Sequence, residues 1–280
     1  MKILVSAVGY HGGYNLVKTL KENGFEVIGT DMNKDSAARF YCDKFYDTPE
    51  GRVDNQYFLP RIKEICEKEK PDLILPASSA EIEQYSYFGW GLPTKIMVSQ
   101  PGVIRRTINK YLTYEALEGT IPLPRAIFGS QGVVAKPVVG KGGRGVSFLN
   151  ERFVMEKLEG EEIDIDVIAL NGELLLAQCK TRERNYGGTL QEGEIVERPE
   201  LVEQVRKIIK ALPVDYLSVI QFKGGKLLEI NPRIAGAIID QNIPLMAIKL
   251  ALNQIIPDEI RNYKHPIGKR ISRTLTDYVF

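Results

Sequence analysis

Two histidines and three cysteines are all that this chain of 280 residues offers to a zinc ion or a disulfide framework. His11 and His265 lie near opposite ends, and Cys42, Cys66 and Cys179 are odd in number and widely spaced. That argues against a Cys/His metal centre and reads as reduced thiols in a cytoplasmic protein. No apolar run approaches the ~18 residues of a membrane span. The run after Lys2, ILVSAVG, is too short and lacks the flanks of a signal peptide. Charge is balanced, 37 basic against 36 acidic residues, so no one-signed field asks for nucleic acid or a membrane surface. Long repeats and low-complexity tracts are also missing. Hydrophobic residues make up 44% of the chain, enough for sizeable cores in one large domain or two to three small ones.

The first hundred residues alternate strand and helix. KILVSAVG reads as a buried strand, and NLVKTLKENG as an amphipathic helix stopped by Gly24. EVIGTD, DLILPAS and KIMVS supply three more strands, and NQYFLPRIKEICEKEK a helix with Pro60 inside it as a candidate break. This order predicts a parallel α/β sheet. A helix near 102–117 leads to IPLPRAIF, whose prolines mark a boundary. From about residue 120 strands follow one another: GVVAKPVV, GVSFL, RFVMEKL, EIDIDVIAL and ELLLAQCKT. Asn171-Gly172 is a strong hairpin signal, and the pattern predicts an antiparallel sheet. PELVEQVRKIIKAL and IPLMAIKLAL are helices, and QFKGGKLLEIN between them is a hairpin.

Four clusters bear chemistry. VGYHGGYN and Asp31 invite a dinucleotide reading, but the G-x-G-x-x-G frame fails at His11 and Tyr14. The better reading is a tight turn before a helix N-terminus, able to receive a substrate carboxylate. The glycines of Gly140-Lys141-Gly142-Gly143-Arg144-Gly145 lie between two strands and do not form a Walker A loop, yet such a hairpin can present backbone N–H groups to phosphates. Lys136, inside VVAKPVV, needs an anionic partner if buried, or else snorkels to the surface. Glu162, Asp164 and Asp166 alternate onto one face of a strand, where a solvated acidic face is expected; Glu156 and Glu162, either side of Gly160, could hold adenine and ribose hydroxyls.

The fourth cluster is the most informative. Glu229 and Asn231 point the same way from a strand whose Leu228 and Ile230 point the other way. A carboxylate and an amide oxygen side by side suit Mg²⁺, and Arg233, after Pro232, suits the accompanying phosphate. Gln221 shares that face only if the hairpin connection is odd. A three-residue loop of Gly224, Gly225 and Lys226 would set Gln221 opposite Glu229, whereas a two-residue Gly-Gly turn would put it on the wrong side.

Together, Lys136-Pro137, the Gly140–Gly145 loop, Glu156 to Glu162 and Gln221…Glu229-Ile-Asn231-Pro-Arg233 resemble the ATP-grasp superfamily, nearest its carbamoyl-phosphate-synthase-like short carboxylate–amine ligases. The resemblance implies an α/β fold that is α+β in its C-terminal part: a Rossmann-like pre-ATP-grasp domain over 1–104, then an ATP-grasp domain over 105–280 with a small mobile lid near 120–185. It implies that Lys136 and Lys110 contact ATP phosphates under a loop contributed by Gly140, Gly142, Gly143 and Gly145. Glu156 and the Leu158 backbone would contact adenine, and Glu162 the ribose. Gln221, Glu229 and Asn231 would hold Mg²⁺ (or Mn²⁺), and Arg233, with Lys136, would serve the transferred phosphoryl group. The loop KTRERNYGGTLQEGE lacks the synthase's histidine, and Arg182 or Arg184 there is either a partner for the substrate acid or a surface arginine. One ATP-grasp unit argues against carbamoyl phosphate synthesis. The expected activity is ligation of a small carboxylate, such as an amino acid, to an amine through an acyl phosphate. The assembly could be a homodimer, and an Mg·ATP-binding module without ligase activity is the rival reading.

Overall fold

The computed structural model describes residues 1–52, 54–125, 133–137, 152–184, 190–234 and 236–273, with the backbone alone at 133–137, 152, 153 and 184. In chain order the elements are β1 (Lys2–Ser6), α1 (His11–Glu22), β2 (Glu26–Asp31), β3 (Lys44–Asp47), α2 (Phe58–Glu69), β4 (Leu73–Pro76), α3 (Ser79–Phe88), α4 (Pro101–Ile108) and α5 (Lys110–Leu117). There follow β5 (Val133–Pro137), β6 (Arg152–Glu156), β7 (Glu162–Leu170), β8 (Glu173–Thr181), β9 (Glu183–Arg184), β10 (Leu190–Val196), α6 (Pro199–Ala211), β11 (Tyr216–Lys223), β12 (Lys226–Asn231), α7 (Asn242–Ala251), α8 (Pro257–Arg261) and β13 (Arg270–Ser272). Among the described residues no helix is long and apolar enough to cross a membrane. Two compact units emerge: Met1–Pro101 with Arg233–Pro257, and Gly102–Pro232 with Asp258–Arg273.

The first unit is built on a parallel sheet of order β3-β2-β1-β4, as the strand–helix alternation predicts. Leu16, Val17 and Leu20 share one face of α1 and are buried, and the helix ends at Asn23 before Gly24, whose φ is +77°. Gly13 is required by close packing, since a Cβ there would lie 2.3 Å from the Ala7 carbonyl oxygen. Asp31 accepts the Gly9 N–H at 2.7 Å on one oxygen and the Asn33 N–H at 2.8 Å on the other. The glycine cluster and its aspartate thus hold the β1–α1 turn together.

Two expectations for this unit change, and one strand is new. Pro60 is the third residue of α2, where its missing N–H costs no helical bond, so it breaks nothing. KIMVS forms only an isolated bridge, Ile74 to Ile96, in place of a fourth strand. The short, partly exposed β3 forms the opposite edge of the sheet, beside β2, its alternation KFYD too polar to stand out in sequence.

The second unit carries the antiparallel sheet, of order β12-β11-β7-β8-β10-β13, with β9 paired to β10 and β5 paired to β6 apart from it. The expected single helix at 102–117 is two, because Asn109 leaves the helical conformation and caps α5, accepting the Leu112 N–H at 3.1 Å. One face of the sheet is apolar. Ile163, Ile165, Ile220 and Phe222 pack there against Leu201, Val205, Ile208 and Ile209 of α6. Each such side chain contributes ~1.5–3 kcal/mol on burial. Asn171 and Gly172 turn β7 into β8 with φ of +52° and +78°, the turn that Asn-Gly favours. The GVSFL segment lies outside the described residues.

Candidate active site

The other face of this sheet is polar, and its register sets the site. Glu229 on β12 pairs with Gln221 on β11, Gln221 with Asp164 on β7, and Asp164 with Lys180 on β8. One row of side chains therefore crosses four strands. The next row carries Asn231, Asp166 and Gln178.

Gln221 does stand opposite Glu229, but by a different route from the three-residue loop. The turn is two residues, Gly224 and Gly225, both left-handed with φ of +55° and +76°. Pairing then runs Lys223 to Lys226 and Phe222 to Leu227, and jumps to Gln221 and Glu229. Leu228 is an extra residue, a β-bulge that restores the face a two-residue turn alone would have reversed.

Glu229 is partly open, its side chain 32% exposed. Its Oε1 accepts from Asn231 Nδ2 at 3.1 Å, and Lys110 Nζ lies 3.7 Å from its Oε2. With its amide turned so that nitrogen faces Glu229, Gln221 donates to Oε1 at 3.2 Å and accepts from Arg182 Nη1 at 2.9 Å. Arg182 also donates to Asp164 Oδ2 at 2.6 Å and lies 3.2 Å from Glu162 Oε1. Its side chain is 13% exposed, so it is not a surface arginine; its guanidinium joins the metal-ligand candidates to the acids of β7.

Those acids overturn the expectation of a solvated face. Glu162, Asp164 and Asp166 are 9%, 3% and 7% exposed. Lys180, wholly buried, donates to both oxygens of Asp166 at 2.7 and 2.6 Å. Burial pushes the Asp164 carboxyl above its usual range, against the pull of Arg182 and Lys180. Buried charges need partners, and Lys180 on β8 and Arg182 just past its end supply them. Sequence reasoning reads Asp166 only as part of a solvated face and misses Lys180; the one signal for the lysine is its place in the apolar alternation of ELLLAQCKT.

Glu156 lies elsewhere, at the end of β6. Its carboxylate accepts from Lys226 and from the Arg125 N–H at 3.1 Å, and the Lys226 contact in particular holds its pKa below the usual value. Leu158 packs half-buried against the apolar core. Lys136 occupies β5, where its backbone pairs with Phe153, and Arg184 occupies β9, paired with Leu190. Gly140, Gly142, Gly143 and Gly145 lie outside the described residues. Arg233 belongs to the first unit, donating from Nε to Ser79 Oγ at 2.7 Å and from Nη2 to the Tyr10 hydroxyl at 3.2 Å, with its guanidinium 5.1 Å from the Tyr10 ring centre.

Within the second unit a cleft of about 910 Å³ opens beside the acids, lined in part by Glu162, Thr181, Arg182, Glu194, Lys223 and Arg270. Among the described residues no three His, Cys, Asp or Glu side chains cluster as metal ligands. The donor set that does converge is one carboxylate and two amides, hard oxygen donors that fit Mg²⁺ or Mn²⁺.

Comparison with known proteins meets this geometry from two sides. Residues 149–272 match a family described as ATP-grasp in the biosynthetic pathway with Ter operon, and residues 3–86 match the PylC-like N-terminal domain. No curated protein matches the chain by sequence. N5-carboxyaminoimidazole synthetase from Staphylococcus aureus, solved with ADP, is similar in structure, with a TM-score of 0.68 at 16% identity over 92% of this chain and 78% of that one. The biotin carboxylase domain of Hydrogenobacter thermophilus 2-oxoglutarate carboxylase, solved with MgADP, ADP and bicarbonate, gives a TM-score of 0.71 at 16% identity over 96% and 72%. Pyruvate carboxylase from Rhizobium etli gives 0.67 at 14% identity, over 93% of this chain and 28% of that one. At such identities the likeness is one of fold.

Proposed function

We propose, from the matches of residues 149–272 to an ATP-grasp family and of residues 3–86 to the PylC-like N-terminal domain, that the chain is an ATP-dependent, ADP-forming carboxylate–amine ligase. The observation that carries this reading is the meeting of Gln221, Glu229 and Asn231, from two adjacent rows, beside Lys110. Gln221, Glu229 and Asn231 would hold the divalent ion, which supplies neutralisation of the ATP phosphates when bound. Both amides now present N–H to Glu229. To take a cation each must turn its oxygen inward, and Arg182 would then lose the hydrogen bond it donates to Gln221 while keeping the one to Asp164.

In the proposed reaction a substrate carboxylate oxygen attacks the γ-phosphorus and the bond to the ADP oxygen breaks. An amine nitrogen then attacks the acyl carbon, the carbon–oxygen bond to phosphate breaks, and the amine gives up a proton. The chain's share is positioning and fixed charge, with no side-chain nucleophile. Lys110 and Lys136 would meet the phosphates, and Arg233 the phosphoryl group in transfer. Glu156, Leu158 and Glu162 would seat adenine and ribose. The acid and the amine are small molecules, with amino acids the first to screen.

The test is ADP release across amino-acid pairs, with hydroxylamine trapping. Hydroxamate that needs ATP, with amide product when an amine is supplied, is expected, and Glu229→Ala abolishes both. Mg·ATP binding with neither product under any pair would leave a nucleotide-binding module, and full turnover by the variant would remove Glu229 from the metal site.

A further inference from the structure

Glu229 faces Gln221 only because Leu228 is bulged out of the β11–β12 ladder. Without the bulge, the two-residue turn would pair Gln221 with Leu228 and turn Glu229 toward the apolar face. An extra residue in an edge strand has no fixed place of its own, since the bulge can slide along the strand. Among the described residues β12 is the edge strand, and its outer carbonyls meet no strand there.

Tyr114 of α5 meets that need. Its hydroxyl lies 2.9 Å from the Leu227 carbonyl oxygen and 3.2 Å from that of Leu228, the two carbonyls that flank the extra residue. The ring is 7% exposed and packs in the apolar core. Lys110, one turn earlier on the same helix face, lies against the carboxylate of Glu229 itself. One face of α5 thus touches both the backbone that aims Glu229 and the side chain that is aimed.

We infer that Tyr114 is a positioning residue for the divalent-metal site: its hydroxyl pins the Leu228 bulge, and the pinned bulge keeps Glu229 on the polar face. This rests on the metal role proposed for Glu229. Loss of one buried hydrogen bond should let the bulge wander and weaken metal binding by about fivefold.

The experiment titrates Mn²⁺ into the full-length chain with a saturating non-hydrolysable ATP analogue and counts bound ion by electron paramagnetic resonance. Tyr114→Phe keeps the ring and its packing, so it folds. It should bind Mn²⁺ about fivefold more weakly, with faster hydrogen exchange over 226–231. Tyr111→Phe, at an exposed position on the same helix, should match the parent. A lower melting temperature in Tyr114→Phe with unchanged Mn²⁺ affinity, while Glu229→Gln is weakened, overturns the role of Tyr114 and leaves the metal site standing. Unchanged affinity in Glu229→Gln overturns the metal assignment itself, and the inference with it.

Discussion

Lys180→Met is the sharpest structural perturbation available in the polar face. The lysine is wholly buried and gives hydrogen bonds at 2.7 and 2.6 Å to the two oxygens of Asp166, itself 7% exposed. Methionine fills much of the same volume, so little cavity forms, and the cost is that of a buried carboxylate deprived of its partner. Breaking such a pair from one side costs about 3–5 kcal/mol. For a chain of this size that corresponds to a fall of about 6–20 °C in melting temperature. The double variant Asp166→Leu/Lys180→Met removes both charges and should recover most of the loss, as apolar replacements of buried pairs do. Urea denaturation followed by far-UV circular dichroism is the assay, because the single tryptophan, Trp90, is 89% exposed in the other unit and reports poorly on this sheet. A loss below about 1 kcal/mol for Lys180→Met would mean that Asp166 is solvated like a surface carboxylate. A double variant as unstable as the two single losses added together would deny the coupling altogether.

Other outcomes follow from single positions. Glu156 has its folded pKa lowered from about 4.5, so its bonds to Lys226 and the Arg125 N–H stabilise fully above that pH and are lost as pH falls through the lowered value. The parent's advantage over Glu156→Gln in urea midpoint should therefore be present at pH 6 and shrink toward pH 3; a gap that stays constant across that range refutes the assignment. Gly172→Ala places a side chain at φ +78° in the β7–β8 turn and should cost about 1 kcal/mol or more, read as a lower urea midpoint. Gly13→Ala drives a Cβ to 2.3 Å from the Ala7 carbonyl oxygen, a backbone atom that cannot yield cheaply, and should cost about 1–3 kcal/mol or more by thermal denaturation.

Much of this fold can be read from local pattern. Strand and helix alternate to Pro76, the strands after β5 follow one another, and Asn171-Gly172 dictates its own turn, because period and turn chemistry are properties of neighbouring residues. What depends on distant partners is not legible. Glu162, Asp164 and Asp166 look like a solvated face until β8 and the residue after it bring Lys180 and Arg182 across from 14 to 20 positions away. The hairpin shows the same limit more finely. The pairing of Gln221 with Glu229 follows from the chemistry that needs it, yet the bulge that produces it is held by Tyr114, more than a hundred residues earlier. Asn109 ends one helix and caps the next although the apolar pattern runs through it, because a side-chain cap can compete with a helical bond.

A crystal structure of the full-length chain with Mg²⁺ and a non-hydrolysable ATP analogue addresses the function most directly. The ion is predicted about 2.0–2.1 Å from oxygens of Glu229 and Asn231, with the Gln221 amide turned toward it. An ion bound away from β12, with Glu229 still hydrogen-bonded to the two amides, would contradict the proposed site and the ligase chemistry built on it.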